Sequence, residues 1–392
     1  MSSFLIRGAT VKIILFVIAI YYLYHMIFLL ASLGIKRAKI GTPLGSGKSR
    51  FAVFIPAHNE QNVIRDSMKS IFAAHYPSDK FSIHVVADNC TDDTVQFARQ
   101  AGAKVLERHN PLQRGKQFAL EWAFKQIDLD NFDAAVILDA DNHIDPKFFS
   151  VLDHHLQAGH KVLQAYEETK NPNDSWVSMN NAYIYWYMFR MQMIRTALGM
   201  SAWLAGTGVC ISTEVLKKIG WHVTTIVDDV EFTCQLLLNG EKVTLAGGAV
   251  IYDQKPARLM DSMKQRLRWI RGQTQVGIMY LPKLAAYVLK ELFNWNYGQA
   301  FRAFDAIMWL PMQLIILASF VYSFASGGFS YLLTVLITTP VFYILPLLAE
   351  KVKLRKAWRY LVTSGVFFLT WIPITAYGVV TYGKQGWWRT PH

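Results

Sequence analysis

The sequence predicts an α/β domain built on a doubly wound sheet and carried between membrane-spanning helices. Three observations predict it. Short apolar runs alternate with helical patterns from residue 51 to residue 138. Acidic residues stand where several of those apolar runs end. Long apolar segments without a charged residue flank the domain, one before it and three after it.

The first run, FAVFI at residues 51–55, is a buried-strand pattern that ends in Pro56-Ala57-His58-Asn59-Glu60. Val63, Ile64, Met68, Ile71 and Phe72 then recur with helical spacing. A second strand, FSIHVVA at residues 81–87, runs into Asp88-Asn89-Cys90-Thr91-Asp92. Thr91 or Asp92 suits the cap of the next helix, which carries Val95, Phe97 and Ala98. Residues 104–106 fit a third strand, and Arg114-Gly115-Lys116 opens a helix over 117–127. The run AAVIL at residues 134–138 is the next strand, and Asp139 and Asp141 follow it.

In extended chain, residues two apart point the same way, so Asp139 and Asp141 project together from the carboxyl end of their strand. Open α/β sheets bind ligands at that edge. Two adjacent carboxylates repel unless a positive charge intervenes, and a hard divalent cation with oxygen ligands is the usual remedy. Solvated loop aspartates are the plainer alternative for an isolated pair. Glu60 and Asp88 suit hydrogen bonds from a ribose or a base edge, and Lys116 suits a phosphate; each also fits a helix cap or a surface lysine.

Residues 180–195 are rich in Tyr, Trp, Phe and Met and read as a helix with a broad packed face, with a sugar-stacking wall as the alternative. Gly206-Thr207-Gly208 lets backbone approach a ligand or marks a turn. Asp228, Asp229 and Glu231 precede a helical run at 232–238, where they complement the helix dipole or supply a general base. Gln265, Arg268 and Trp269 lie in a basic amphipathic stretch suited to a membrane surface.

Of the 392 residues 52% are apolar and 17% charged, and the apolar residues are unevenly spread. Residues 13–33, 306–324, 331–349 and 360–382 are the candidate spans. The first is too long for the core of a signal peptide, and no small-residue cleavage site follows it. Lys36, Arg37, Lys39, Lys48 and Arg50 follow it against Arg7 and Lys12 before it, which places the globular domain in the cytoplasm. The predicted organisation is a helix over 1–35, a basic linker over 36–49, an α/β domain over 50–255, amphipathic interfacial helices over 256–300, and three membrane helices with a short tail over 301–392. Much of the net charge of +12 lies beside membrane segments, where anionic lipid attracts it, and no motif of a nucleic-acid module is present. Cys90, Cys210 and Cys234 lack metal-ligand spacing and fit free thiols. GTPLGSGKS at residues 41–49 is not a P-loop, because Thr42 stands where the pattern requires glycine.

Together these motifs resemble those of the membrane-embedded family 2 glycosyltransferases, which include cellulose, chitin, hyaluronan and poly-N-acetylglucosamine synthases. The resemblance spans nearly the whole chain: P-x-x-N-E at Pro56 to Glu60, Asp88, the D-x-D of Asp139 and Asp141, G-T-G at Gly206 to Gly208, the acidic pair Asp228 and Asp229, and Q-x-x-R-W at Gln265, Arg268 and Trp269. Val227-Asp228-Asp229 departs from the Thr-Glu-Asp of many members but keeps the second aspartate. Trp387-Trp388-Arg389-Thr390 distantly resembles a gating motif that would face the cytoplasm, against the charge count.

The resemblance implies a GT-A-type, Rossmann-like domain and inverting transfer from a UDP-sugar, UDP-GlcNAc or UDP-Glc. It implies Mg²⁺ or Mn²⁺ on Asp141, with Asp139 nearer the nucleotide, and uridine held by Glu60 and Asp88. Lys116, Gln265 and Arg268 would bind the donor. Asp229, with Asp228 beside it, would act as base, and Gly206, Thr207, Gly208 and Trp269 would meet the acceptor. The product is either a growing β-linked polysaccharide moved across the membrane or a lipid carrier given a single sugar. A receptor or transporter is disfavoured, since it would carry charges inside its spans and these segments have none.

Overall fold

The computed structural model describes residues 2–35, 45–325, 330–352 and 354–384. Most of the basic linker and the tail at residues 387–390 lie outside the described residues. The core is an eight-stranded sheet: β1 (Phe51–Ala57), β2 (Phe81–Asp88), β3 (Lys104–Arg108), β4 (Ala134–Ile137), β5 (His143–Ile144), β6 (Val162–Thr169), β7 (Val209–Ser212) and β8 (Val243–Asp253). Its order is β3-β2-β1-β4-β7-β6-β8-β5.

Period-two alternation explains why both faces are covered. Phe51, Val53 and Ile55 of β1 enter one core with Ile64, Met68 and Ile71, and with Phe148 and Phe149. Ala52 and Phe54 enter the opposite core with Leu120, Ala123, Phe189 and Phe232. Each such Val, Leu, Ile, Met or Phe side chain, fully buried, contributes roughly 1.5–3 kcal/mol.

The expected parallel winding holds from β3 to β4, where every pairing is parallel. The second half is mixed. β7 runs antiparallel to both β4 and β6, β6 is parallel to β8, and β5 is antiparallel to β8. This arrangement gathers chain ends. The carboxyl ends of β1, β2, β4, β6 and β8 and the amino end of β7 all meet at one edge of the sheet. The order 3-2-1-4 also places a switch point between β1 and β4, where open α/β sheets form a crevice.

The aromatic-rich segment forms the helix Trp176–Ala197, opened by a capping box in which Ser175 Oγ accepts from the amides of Val177 and Ser178 at 3.1 Å. One face packs on the sheet, with Phe189 4.9 Å from Tyr166 between ring centres. Another meets the helix Ser330–Ala349 through Tyr183 and Tyr343, 5.5 Å apart. Buried ion pairs lock it in place: Arg195 Nε donates to Asp305 Oδ2 at 2.7 Å, and Arg190 reaches Glu350 at 3.3 Å.

The apolar segments are helical but more broken than expected. Residues 13–33 belong to the helix Ser2–Leu33. Tyr297–Trp309 and Met312–Phe324 meet at a 44° bend beside Pro311, and the last segment is interrupted near Thr363 and Thr370. Among the described residues, Arg359–Val380 is long and apolar enough to cross a membrane, and the bent pair is too if it forms one span. Ala19–Leu33 and Val335–Ala349 are shorter apolar helices.

Candidate active site

A cavity of about 1510 Å³ opens at the gathered edge of the sheet and continues between the apolar helices. It brings together Glu60, Asp88, Lys116, Asp139, Asp141, Gly206, Thr207, Asp228, Asp229, Gln265, Arg268 and Trp269. Gly208 is the exception. It is not among the lining residues, and a Cβ there would stand 2.9 Å from that of Ala165, so the position is closely packed.

Left-handed asparagines shape the loops that carry the first two acids. Asn59 and Asn89 follow β1 and β2 with φ of 58° and 50°. Asn59 Oδ1 accepts from the Thr91 amide at 2.8 Å, and Asn89 Oδ1 accepts from the Asn110 amide at 2.9 Å. Asp88 is buried and accepts from Arg108 at 2.6 Å and from Asn89 Nδ2 at 2.9 Å. It is therefore no helix cap; the helix Thr94–Gln100 has Asp93 as its N-cap, and Asp92 before it accepts from the Thr94 amide at 3.0 Å.

Lys116 ties two strand ends together. Its Nζ donates to Asp139 Oδ1 at 2.5 Å and to the Gly206 carbonyl at 2.7 Å. Gly206 has φ of 83°, and a Cβ there would stand 3.6 Å from Asp229 Oδ2, so this turn and the Asp229 carboxyl are neighbours. Gln164 holds the turn from below, accepting from the Ala205 amide at 2.9 Å and donating to the Thr207 carbonyl at 2.8 Å. Thr207 Oγ accepts from the Asp139 amide at 3.0 Å.

Electrostatics set the acids apart. Burial, then the charge of Asp228, pushes Asp229 up to about 7. Burial also raises Asp228, with Lys116 opposing. Burial works against the Lys116 ammonium, but the charges of Asp139, Asp228 and Asp229 outweigh it and raise its pKa. Burial lowers Arg268, which the same three acids partly offset. Asp141 is held well above the carboxylate range by burial and by the neighbouring charges of Asp253 and Asp139.

Asp139 and Asp141 fit a hard divalent cation. They offer only oxygen donors, and Asp141 is buried among like charges that a cation would relieve. Among the described residues no set of three His, Cys, Asp or Glu closes around a metal by itself. Mg²⁺-type sites are commonly built that way, with one or two carboxylates and the rest of the shell from substrate phosphates and water.

Sequence reasoning missed a second polar cluster on the cavity floor. Glu167 lies two residues before the end of β6 and Asp253 ends β8, and both line the cavity with Tyr185. Lys255 pairs with Glu167 and, at 2.7 Å, with Asp253. Asn142 joins this cluster to the first, donating to Asp253 at 2.8 Å and to Asp141 at 3.3 Å. The available signal was the strand-end position of Asp253, the feature that marked Asp139; Glu167 lies inside its strand and carried no such signal.

Residues 49–272, more than half of the chain, match the family described as glycosyltransferase like family 2. The chain belongs to glycosyltransferase family 2. This glycosyltransferase is 26% identical over 247 residues to the probable glycosyltransferase YdaM of Bacillus subtilis, covering 60% of this chain and 57% of that one. It is 25% identical to a beta-monoglucosyldiacylglycerol synthase of Nostoc, over 58% of this chain and 50% of that enzyme. The chain thus spans about half the length of these curated relatives. Against the poly-beta-1,6-N-acetyl-D-glucosamine synthase of Staphylococcus epidermidis the identity is 22%, covering 83% of this chain and 79% of the synthase. The solved mannosyltransferase PcManGT from Pyrobaculum calidifontis, in complex with GDP-Man and Mn²⁺, matches with a TM-score of 0.56 at 16% identity, over 92% of this chain and 98% of that one. The fold of this glycosyltransferase is accordingly of the GT-A type with a mixed sheet.

Proposed function

We propose that this glycosyltransferase moves a sugar from a UDP-sugar, with inversion, onto the end of a growing β-linked polysaccharide at a membrane. The observation that carries the reading is the convergence of the acids from β1, β2 and β4 with Asp229 and Q-x-x-R-W on one cavity. Glu60 and Asp88 hold the nucleoside. Asp139 and Asp141 would hold Mg²⁺ or Mn²⁺, which when bound supplies Lewis-acid stabilisation of the departing diphosphate. Lys116 and Arg268 add preorganised positive charge in a partly dry site. Asp229 takes the proton of the acceptor hydroxyl, a role worth roughly 10²–10⁴-fold, and its value of about 7 suits a base at neutral pH. Gln265 orients the donor and Trp269 stacks on the acceptor sugar.

The cavity continues past Trp269 to Tyr21, Met26, Ile316, Val335 and Phe342 on the apolar helices. This continuity supports a multi-pass membrane protein, and the basic residues that follow the first apolar segment support a catalytic domain in the cytoplasm. The likeness to the polysaccharide synthase, which extends over most of both chains, favours polymer synthesis. The apolar far wall favours a second reading, transfer of one sugar to a lipid carrier or glycolipid. The two separate on product size: purified full chain is incubated with labelled UDP-sugars and the product is run on a sizing gel. A ladder of saccharides supports the polymer. Single-sugar lipids alone would replace it with the second reading.

A further inference from the structure

We propose that Glu231 is a positioning residue for the transfer reaction. Its buried carboxylate fixes residues 224–227, the segment that delivers Asp228 and Asp229 to the cavity, and ties that segment to the helix Leu259–Phe293, which carries Gln265, Arg268 and Trp269. This rests on the transfer function proposed above and adds a residue to it. Glu231 is 1% exposed and is not among the residues that line the cavity, so it acts through its neighbours and does not meet substrate.

The hydrogen bonds are the first argument. Glu231 stands in the first turn of the helix Asp228–Leu238, and its carboxylate turns back over the chain that enters that helix. Oε2 accepts from the amides of Thr224 at 2.9 Å and Thr225 at 2.7 Å. Oε1 accepts from the Thr224 hydroxyl at 3.3 Å and from the Tyr280 hydroxyl at 3.2 Å. Both oxygens are engaged, and a fully satisfied buried network of this kind holds its partners in one arrangement. Thr224, Ile226 and Val227 line the cavity with Asp228 and Asp229, so the fixed segment is part of the site wall. Asp229 Oδ1 accepts from the Val230 amide, the next in the chain, at 2.8 Å, so the place of this carboxyl follows from where the helix begins.

The second argument is the contact between the two helices. Arg268, Gly272, Val276 and Tyr280 recur every four residues and share one face of the helix Leu259–Phe293. Val276 and Tyr280 pack with Val227, Val230 and Cys234. A Cβ on Gly272 would stand 2.6 Å from both methyl carbons of Val227 and 3.1 Å from Ile226 Cγ1, so glycine is what lets this segment lie against the helix. Gln235, one turn beyond Glu231, donates to the Tyr280 hydroxyl at 3.0 Å and to the His222 carbonyl at 2.7 Å. Residues 222–227 are thus gripped by Glu231 and Gln235 on one side and by Gly272 on the other. The same helix face begins at Arg268 in the cavity, so these contacts set the place of Asp229 relative to Q-x-x-R-W. Misplacing a reacting group by about 1 Å costs on the order of a hundredfold in rate.

The test uses purified full chain, each variant assayed below its own melting transition, with kcat and KM from UDP release and UDP affinity from calorimetry. Glu231→Ala should lower kcat roughly ten- to hundredfold, and Tyr280→Phe should lower it less, with donor KM and UDP affinity kept in both. Glu231→Gln keeps the length and one acceptor oxygen, and should restore most of the turnover that Glu231→Ala loses. Gly272→Ala should lower kcat in the same way, and adding Val227→Ala, which removes the obstructing methyl groups, should bring it back. Wild-type kcat in folded Glu231→Ala would overturn the positioning role, and so would a loss of UDP affinity in parallel with kcat. Glu231→Gln as slow as Glu231→Ala would give the carboxylate a direct part in the reaction and overturn it too. If Glu231→Ala does not fold, Gly272→Ala decides: an unchanged kcat, or no recovery with Val227→Ala, overturns the proposal. Failure of the wild-type chain to release UDP from any sugar donor would instead overturn the transfer function on which the proposal depends.

Discussion

Protonating Asp229 should stop the reaction, and the structure sets the pH at which this happens. Burial and the Asp228 charge push its carboxyl up to about 7. The base works only when deprotonated, so activity is present above that value and is lost as pH falls through it. At pH 7 about half the sites carry the carboxylate, and at pH 6 roughly one in eleven. The plot of kcat/KM for UDP release against pH, at fixed cation and saturating acceptor, should therefore fall about tenfold per unit below pH 7. An ordinary aspartate, near 3.9, would leave the rate flat from pH 6 to 8. Asp228→Asn removes the second cause of the shift and should move the inflection to lower pH. Asp229→Asn should cost roughly 10²–10⁴-fold while keeping UDP affinity. A flat profile across pH 6 to 8, or near-normal turnover in Asp229→Asn, would refute the assignment of the base.

Other perturbations test the scaffold around the site. Arg195→Met leaves Asp305 buried opposite an apolar side chain, with Tyr24 its remaining partner at 2.6 Å; breaking such a pair costs roughly 3–5 kcal/mol, so the melting temperature in detergent should drop markedly, and a loss under about 1 kcal/mol would contradict the pairing. Gly208→Ala places a Cβ 2.9 Å from that of Ala165 at φ of 65°, and should cost about 1–2 kcal/mol from the left-handed backbone alone, read as a lower melting temperature. Asp141 has a folded-state pKa raised above its unfolded value, so its contribution to stability is present at low pH and is lost as pH rises from about 4 through the raised value. A divalent cation should offset that loss: Mn²⁺ at a hundred times its Kd adds about 2.7 kcal/mol, and the gain in melting temperature over EDTA should be larger at pH 8 than at pH 5 and absent in Asp141→Asn.

How far the sequence shows this architecture depends on what each segment buries. FAVFI and AAVIL are apolar throughout because both their faces are covered, so β1 and β4 stand out. β6 reads VLQAYEET, and its Gln164 and Glu167 are buried for polar reasons, one to brace the Ala205–Thr207 turn and one in the cavity floor. Such a strand carries no apolar signature, so the mixed half of the sheet stays hidden. The Asp139 and Asp141 motif is visible because its residues are adjacent in sequence. Glu167 and Asp253 become neighbours only through the pairing of β6 with β8. Gly208 shares a motif with Gly206, yet it is closely packed against Ala165 and is not among the lining residues. The apolar segments are legible as helices, but the bend beside Pro311 and the break near Thr370 depend on packing that composition does not encode.

The most direct test is UDP release from a UDP-sugar by the full chain, measured with acceptor present in Mn²⁺ and again in EDTA. Acids held in one turn after β4, on the same cavity as a half-buried base, predict turnover in Mn²⁺ and its collapse in EDTA, with recovery when Mg²⁺ or Mn²⁺ is restored. Equal turnover in EDTA would contradict a cation-assisted departure of the nucleotide from this cavity.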